Sequence, residues 1–430
     1  MRNKRVIANA SWIIVSRIIQ AFFAVIISML TARYLGPSNF GIINYVASLV
    51  AFATPVMKLG LDAILVREII NHPDEEGQTL GTATVLNLIS SVLCMLGTVT
   101  FCALVNRGED EIIIVCLLYS LMLPAQAVEM IMYWYQAKLL SKYTSLVSLG
   151  AYILISAYKI FLLICNKNVY WFAISNAIDY MLIGIVLHIL YRKLGSSPLS
   201  FSLSKAKQML SQGKFYIVSA MMVTVFAQTD KIMLKYMIDE TATGFYAAAT
   251  TCAGMTSFVF AAIIDSARPS IFENKQKGEE YYERSVRMLY CEIIYLSLAQ
   301  CLVITVFSKH IIYLLYGAAY KPAISALRIV VWYTTFSYMG SVRNIWILAE
   351  GKQKYLWILN LSGASANVLL NIWLIPRLGV TGAAMASLIT QFFTNVSMSA
   401  IIRPLRRNNE LMFSALDLRN IWGLISQIRK

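Results

Sequence analysis

The chain has 430 residues, of which 58% are hydrophobic and 14% charged. A soluble domain carries roughly 25% charged residues, so an ordinary water-soluble fold is excluded. The formal net charge of +15 would suggest nucleic acid in a soluble protein, but here most Lys and Arg lie between apolar runs, a placement that follows membrane topology and not a nucleic-acid footprint.

The N-terminal stretch "MRNKRVIANASWIIVSRIIQAFFAVIISMLTARY" begins like a signal sequence, with basic residues before an apolar run. That run is too long for a signal core, has no A-x-A-like site and is interrupted by Arg17, so it is expected to stay as a first membrane helix. A window of about 19 residues places twelve spans near 7–32, 40–66, 79–105, 111–135, 143–165, 169–191, 212–237, 243–267, 287–307, 322–349, 355–375 and 380–403. Between the first two lies "LGPSNFG", which reads as a tight outer turn built on Gly36, Pro37 and Gly41, with Pro37 ending one helix and Gly41 letting the next begin. It is no phosphate cradle, because no strand precedes it and no G-x-G-x-x-G follows. The polar, turn-rich stretch 192–214 reads as a cytoplasmic linker between an N-terminal lobe (residues 1–191, spans one to six) and a C-terminal lobe (212–403, spans seven to twelve). The tail, 404–430, has apolar residues at 411, 415, 418, 422 and 425 with basic residues elsewhere. It could lie on the anionic inner leaflet, or fray.

Charge in the loops sets the orientation. Of the 37 Lys and Arg, 24 fall in segments that are inner if the N-terminus is cytoplasmic, seven in outer ones and six within spans. Both termini are therefore expected inside. The two lobes also read as a repeat: "ARYLGPSNFGIINYVAS" resembles "LKYMIDETATGFYAAAT", with Tyr34 and Gly41 matching Tyr236 and Gly244. An offset of six spans preserves orientation, so the expected architecture is all-α and polytopic. Its two six-helix lobes would be related by a pseudo-two-fold axis along the membrane normal.

Charges inside the spans are the candidates for function. A central Lys, Arg or Asp costs about 2.5–3.5 kcal/mol on insertion, against about 0.3–0.6 recovered per Leu or Ile. Such residues are therefore expected to face the bundle interior or water. The bases are Arg17, Lys58, Lys159, Lys231, Arg328 and Arg343; the acids include Asp62, Glu129, Asp179, Asp230, Asp265 and Glu292. Several lie on polar helical stripes: Asn44 to Asp62, Thr224 to Lys231, Thr250 to Arg268, and Arg328 to Glu350. Such stripes can be helix–helix glue, with Lys58 and Asp62 simply paired at i, i+4, or can line an aqueous cavity. A cavity with unpaired Arg and Lys would attract an anionic phosphate or pyrophosphate group. The acids would then act as H⁺ or Na⁺ sites or as counter-ions. Arg17, with no acid three or four residues away, is the first candidate for a phosphate contact. The seven cysteines form no C-x-x-C and no metal-ligand spacing, and no Walker A motif occurs, so neither a metal nor another cofactor is expected.

The stretches "ARYLGPSNFGIINY", "GLDAILVREI", "TDKIMLKYMIDETATGFYAAAT", "ARPSIF", "LLYGAAYKPAISALRI" and "NVLLNIWLIPRLGVTGAAMAS" occur in that order along nearly the whole chain. Together they resemble the bacterial polysaccharide repeat-unit flippases of the multidrug/oligosaccharidyl-lipid/polysaccharide exporter superfamily, which serve O-antigen, capsule and exopolysaccharide synthesis. The resemblance implies alternating access in the cell inner membrane and export of undecaprenyl-pyrophosphate-linked oligosaccharides. A polysaccharide polymerase and a chain-length regulator would be partners. It carries the role of cavity cation onto Arg17, and by position onto Lys58, Lys159, Lys231, Arg268 and Arg343. A drug or cation antiporter of the same superfamily would favour a cavity dominated by acids, and here bases and acids are about equal. A membrane polymerase or acyltransferase would need a clustered base or nucleophile, whereas His72, His188 and His310 are scattered.

Overall fold

The computed structural model describes residues 2–195 and 197–417, and for residues 2–11 and 14 the backbone alone. By spatial clustering the chain divides into two compact units, Met1–Gln228 and Thr229–Lys430. Among the described residues, eight helices are long and apolar enough to cross a bilayer, or ten when each of two bent pairs counts as one span. Each of the twelve expected spans coincides with a helix, part of one, or a run of broken helices.

In the first unit, α1 (Arg2–Met57) contains the first span and most of the second, interrupted at Gly36, whose φ of 73° and ψ of 173° leave the helical region. That combination is open in practice only to glycine. Pro37 then opens the following helix, where its fixed φ and missing N–H cost nothing. The expected division of labour at this turn is thus reversed: Gly36 makes the break and Pro37 starts the next helix, while Gly41 is buried inside it. The second span breaks again after Met57, where Leu59 and Gly60 both take positive φ, and resumes as α2 (Leu61–Asn71). The remaining helices are α3 (Glu76–Val105), α4 (Asp110–Ser120), α5 (Met122–Glu129), α6 (Met132–Ala137), α7 (Ser141–Ile164), α8 (Val169–Leu194) and α9 (Leu203–Met237). The core closes on Trp134, whose ring stands edge-on to Tyr135 at 5.0 Å and to Tyr191 at 4.9 Å, the arrangement favoured by ring quadrupoles.

The stretch expected to link the two lobes is bonded to the first unit. Ser200 N–H donates to the Gly77 carbonyl at 3.3 Å, Ser202 N–H to Thr82 Oγ1 at 3.0 Å, and Tyr191 OH to the Ser197 carbonyl at 2.8 Å. Lys205 pairs with Glu75. From Leu203 the chain is already helical, and Arg67 reaches Gln212 at 3.0 Å. These bonds hold 197–212 to the first unit, and by spatial clustering the two units divide at Gln228–Thr229, inside α9.

The second unit contains α10 (Glu240–Gly254), α11 (Ser257–Lys277), α12 (Glu279–Leu315), α13 (Ala323–Ala349), α14 (Leu356–Leu378), α15 (Val380–Phe392), α16 (Met398–Ile401) and α17 (Arg406–Ser414). A π-helical turn, Phe393–Ser397, joins α15 to α16. α10 starts without a glycine, because Asp239 caps it by accepting from Ala242 N–H at 2.7 Å. Gly244 is accordingly no turn residue; it lies buried four positions into α10, as Gly41 lies four positions beyond Pro37. The matched glycines are therefore buried helix positions and not turn residues, while the matched tyrosines, Tyr34 and Tyr236, are both exposed. The core stacks Phe260 on Tyr338, centroids 4.1 Å apart, and buries Tyr282, Tyr290 and Trp346. α17 docks on the protein: Leu411, Met412 and Ala415 are buried, Tyr290 OH donates to Asn408 Oδ1 at 2.9 Å, and Asn409 Nδ2 donates to the Val396 carbonyl at 2.8 Å. Two of the five expected tail positions, 411 and 415, thus face protein instead of lipid, and 418, 422 and 425 lie outside the described residues.

Candidate functional site: a charged cavity and a buried carboxylate

Within the first unit the charges singled out from the sequence converge. Lys58, at the break after α1, lies 3.8 Å from Asp62 in the first turn of α2, with both side chains 36% exposed. Glu129, the last residue of α5, has Lys58 and Asp179 as electrostatic neighbours, and Asp179 on α8 has Lys159 of α7. Arg17 is exposed on α1 and, together with Glu129 and Asp179, lines a cavity of about 380 Å³. α7 contributes Ser141, Ser145, Ser148 and Tyr152 to its wall, and Gln20, Gln136 and Tyr180 complete the polar part. Asp179 Oδ1 is buried and has no hydrogen-bond partner among the described residues. A buried acceptor left in this state costs about 1–3 kcal/mol, so it is poised to accept a donor. Lys58 and Asp62 take the pairing that i, i+4 spacing allows, whereas Arg17 makes no ion pair among the described residues.

The second unit holds a different constellation. Asp230, near the end of α9, is 6% exposed. Its Oδ1 accepts from Asn367 Nδ2 at 3.0 Å and from Asn371 Nδ2 at 2.6 Å; its Oδ2 accepts from Tyr246 OH at 2.5 Å and from Ser387 Oγ. Tyr246 OH and Ser387 Oγ also lie 2.9 Å apart. The carboxylate is held by four neutral donors from α10, α14 and α15. The same side chains carry oxygens able to ligate a hard cation if the amides and hydroxyls reorient, and Asn371 Oδ1 is buried without a partner among the described residues. Lys231, the next residue, is half-buried with Asp230 as its electrostatic neighbour.

Two expected cavity cations have other occupations. Arg268 pairs with Asp265 at 2.9 Å on an exposed face of α11. Arg343 is only 4% exposed: its Nη1 donates to the Thr394 carbonyl at 2.9 Å, inside the π-helical turn, and its Nη2 to Asn344 Oδ1 at 3.2 Å. Its place among substrate-facing cations is therefore corrected. Its guanidinium is spent on a backbone carbonyl of the π-helical turn and on a neighbouring amide.

Sequence reasoning missed the partners of Asp230 and the hydroxyl wall of the cavity. Signals for both existed. Asn367 and Asn371 stand at i, i+4, and Ser141, Ser145, Ser148 and Tyr152 follow steps of four, three and four, one face of a helix.

An all-helical membrane protein with charged and hydrogen-bonding side chains gathered inside its helices has the make-up of a polytopic transporter, and the fold agrees. It is similar to the lipid II flippase MurJ in an inward closed conformation, with a TM-score of 0.72 at 13% identity over 94% of this chain and 90% of that one. It is also similar to an inward-facing multidrug resistance MATE family transporter of the MOP superfamily, with a TM-score of 0.65 at 13% identity over 91% and 95%. At these identities the likeness is one of fold, the fold of MOP superfamily transporters. The sequence supplies the family. The model of the polysaccharide biosynthesis protein family matches residues 6–275, and the chain belongs to that family. An uncharacterised membrane protein of Methanocaldococcus jannaschii is 26% identical over 245 residues, which are 52% of this chain. The match spans about half of that curated relative, 47% of its length.

Proposed function

We propose that this protein exports lipid-linked oligosaccharide repeat units, carried on undecaprenyl pyrophosphate, across the cytoplasmic membrane by alternating access. In this reading both termini are cytoplasmic, and the exported units pass to a polysaccharide polymerase and its chain-length regulator. The observation that carries it is the family match together with bases held inside membrane helices. Arg17, Lys58 and Lys159 sit where a cation is costly unless an anionic group or water meets it. Lys58 and Lys159 have acids beside them, whereas Arg17 makes no ion pair among the described residues, which makes it the first cation to test.

Export against a gradient needs an energy source, and Asp230 supports secondary coupling. A carboxylate with four neutral donors and no ion pair among the described residues can exchange those bonds for H⁺ or Na⁺, and the exchange would reset the packing of α9 against α10, α14 and α15.

Deletion of the gene in its native host tests the reading. Surface polysaccharide is expected to disappear and to return with the wild-type gene, and Arg17→Ala, inserted in the membrane at normal levels, is expected to fail. Unchanged polysaccharide in the deletion strain would refute the function. Full polymer with a normally inserted Arg17→Ala would remove Arg17 from it.

A further inference from the structure

The cavity of the first unit does not suit the phosphate end of the substrate. Two carboxylates, Glu129 and Asp179, line it against one guanidinium, Arg17. The charge immediately around it is balanced: Arg17, Lys58 and Lys159 stand against Asp62, Glu129 and Asp179. A dianionic group would meet carboxylates within the wall, and a cation would gain no net field. What the wall offers instead is directional hydrogen bonding from Ser145, Ser148, Tyr152, Tyr180, Gln20 and Gln136. The buried Asp179 Oδ1 lacks a donor among the described residues. Apolar surface comes from Ile13, Met132 and Ile183. At about 380 Å³ the cavity lies within the roughly 300–1,000 Å³ range of small-ligand sites.

We propose that this cavity is a subsite for an uncharged sugar ring, with the carboxylates of Asp179 and Glu129 accepting from ring hydroxyls and the α7 hydroxyls and the two glutamines completing the set. The proposal rests on the export reading above and adds that the glycan and the pyrophosphate are recognised by different chemistry. A sugar presents many donors and no charge, and a carboxylate accepts from vicinal hydroxyls without needing a cation. A polar group built to pair with a ligand hydroxyl also rejects ligands that lack one, so the subsite would contribute selectivity among repeat units.

Saturation-transfer NMR on the full chain in lipid nanodiscs, free of sugar-headgroup detergents, tests this. The probes are the methyl glycosides of glucose, galactose, mannose and N-acetylglucosamine, with glucosamine, glucuronate and inorganic pyrophosphate as charged comparisons. At least one neutral glycoside is expected to bind, with glucosamine, glucuronate and pyrophosphate giving no signal at this cavity. Ser148→Leu, which places an apolar side chain into the space, is expected to abolish the signal. Asp179→Asn, which keeps the size but not the charge, is expected to weaken binding by at least about tenfold, the range for a hydrogen bond to a charged group. Each variant is compared with wild type by thermal unfolding, and one that unfolds early is replaced by Ser145→Val or Glu129→Gln. No binding by any neutral glycoside, binding that survives Ser148→Leu, or equal binding of a charged comparison probe would overturn the subsite. These outcomes are separable from the export reading, which stands or falls on surface polysaccharide in the deletion strain.

Discussion

Replacing Tyr246 by Phe removes one hydroxyl from the Asp230 cage and leaves the ring in place. The hydroxyl donates to Asp230 Oδ2 at 2.5 Å and lies 2.9 Å from Ser387 Oγ, and Tyr246 is 3% exposed. Water therefore cannot substitute. A hydrogen bond to a charged group contributes about 1.5–3 kcal/mol, against about 0.5–1.5 for a neutral pair. The loss should not reach the roughly 3–5 kcal/mol of an abandoned buried charge, because Asn367, Asn371 and Ser387 still hold the carboxylate. Tyr246→Phe is thus expected to cost about 1.5–3 kcal/mol in the wild-type background. In an Asp230→Asn background the same change is expected to cost about 1 kcal/mol less, since the bond it removes is no longer charge-assisted. Equilibrium unfolding of the four proteins of this cycle in mixed micelles measures both numbers. Equal costs in the two backgrounds would refute the reading of Asp230 as the acceptor that the Tyr246 hydroxyl serves.

Two further outcomes follow, one from an ion-pair bridge and one from backbone geometry. Glu350 lies beyond the end of α13, bridging Lys275 at 2.5 Å and Lys352 at 3.3 Å. Burial alone would raise its pKa, but the hydrogen bonds and charges of Lys275 and then Lys352 outweigh it and hold the carboxyl below the ordinary glutamate value. Its folded pKa is depressed, so its contribution to stability is present above the unfolded value and is lost as pH falls through the folded one. Glu350→Gln is expected to flatten that acid limb in unfolding curves taken from neutral to low pH, and an unchanged limb would count against the bridge. Gly36→Ala is expected to destabilise by about 1–3 kcal/mol through backbone conformation alone, since an added Cβ there meets nothing within 4 Å. Gly97→Ala, on open helix in α3, is expected to be neutral or stabilising by up to about 1 kcal/mol. Similar effects of the two changes in thermal unfolding would contradict the assigned turn.

The spans were legible because a bilayer imposes length and hydropathy on each segment independently of every other. The same holds for the break at "LGPSNFG", where a glycine and a proline act on their own dihedrals. What each does there was not legible, since either glycine could have made the turn and only the backbone shows that Gly36 did. The Lys58–Asp62 pair was legible as one of two readings because i, i+4 spacing is local, even though the helix breaks between them. Arg343 was misjudged for the opposite reason. Its partner, the Thr394 carbonyl, lies 51 residues away in a π-helical turn that leaves no mark in hydropathy.

By itself the sequence determined what depends on composition and nearest neighbours: an all-helical membrane chain, the positions of its helices, and the charges those helices carry. Tertiary structure alone decided which charge meets which group. It gathered Arg17, Glu129 and Asp179 from three helices around one cavity, and it closed Tyr246, Asn367, Asn371 and Ser387 around Asp230. The physical reason is that a helix's register and hydropathy are set within about one turn of chain. The cost of an intramembrane charge, by contrast, is relieved by partners that can come from anywhere in the fold.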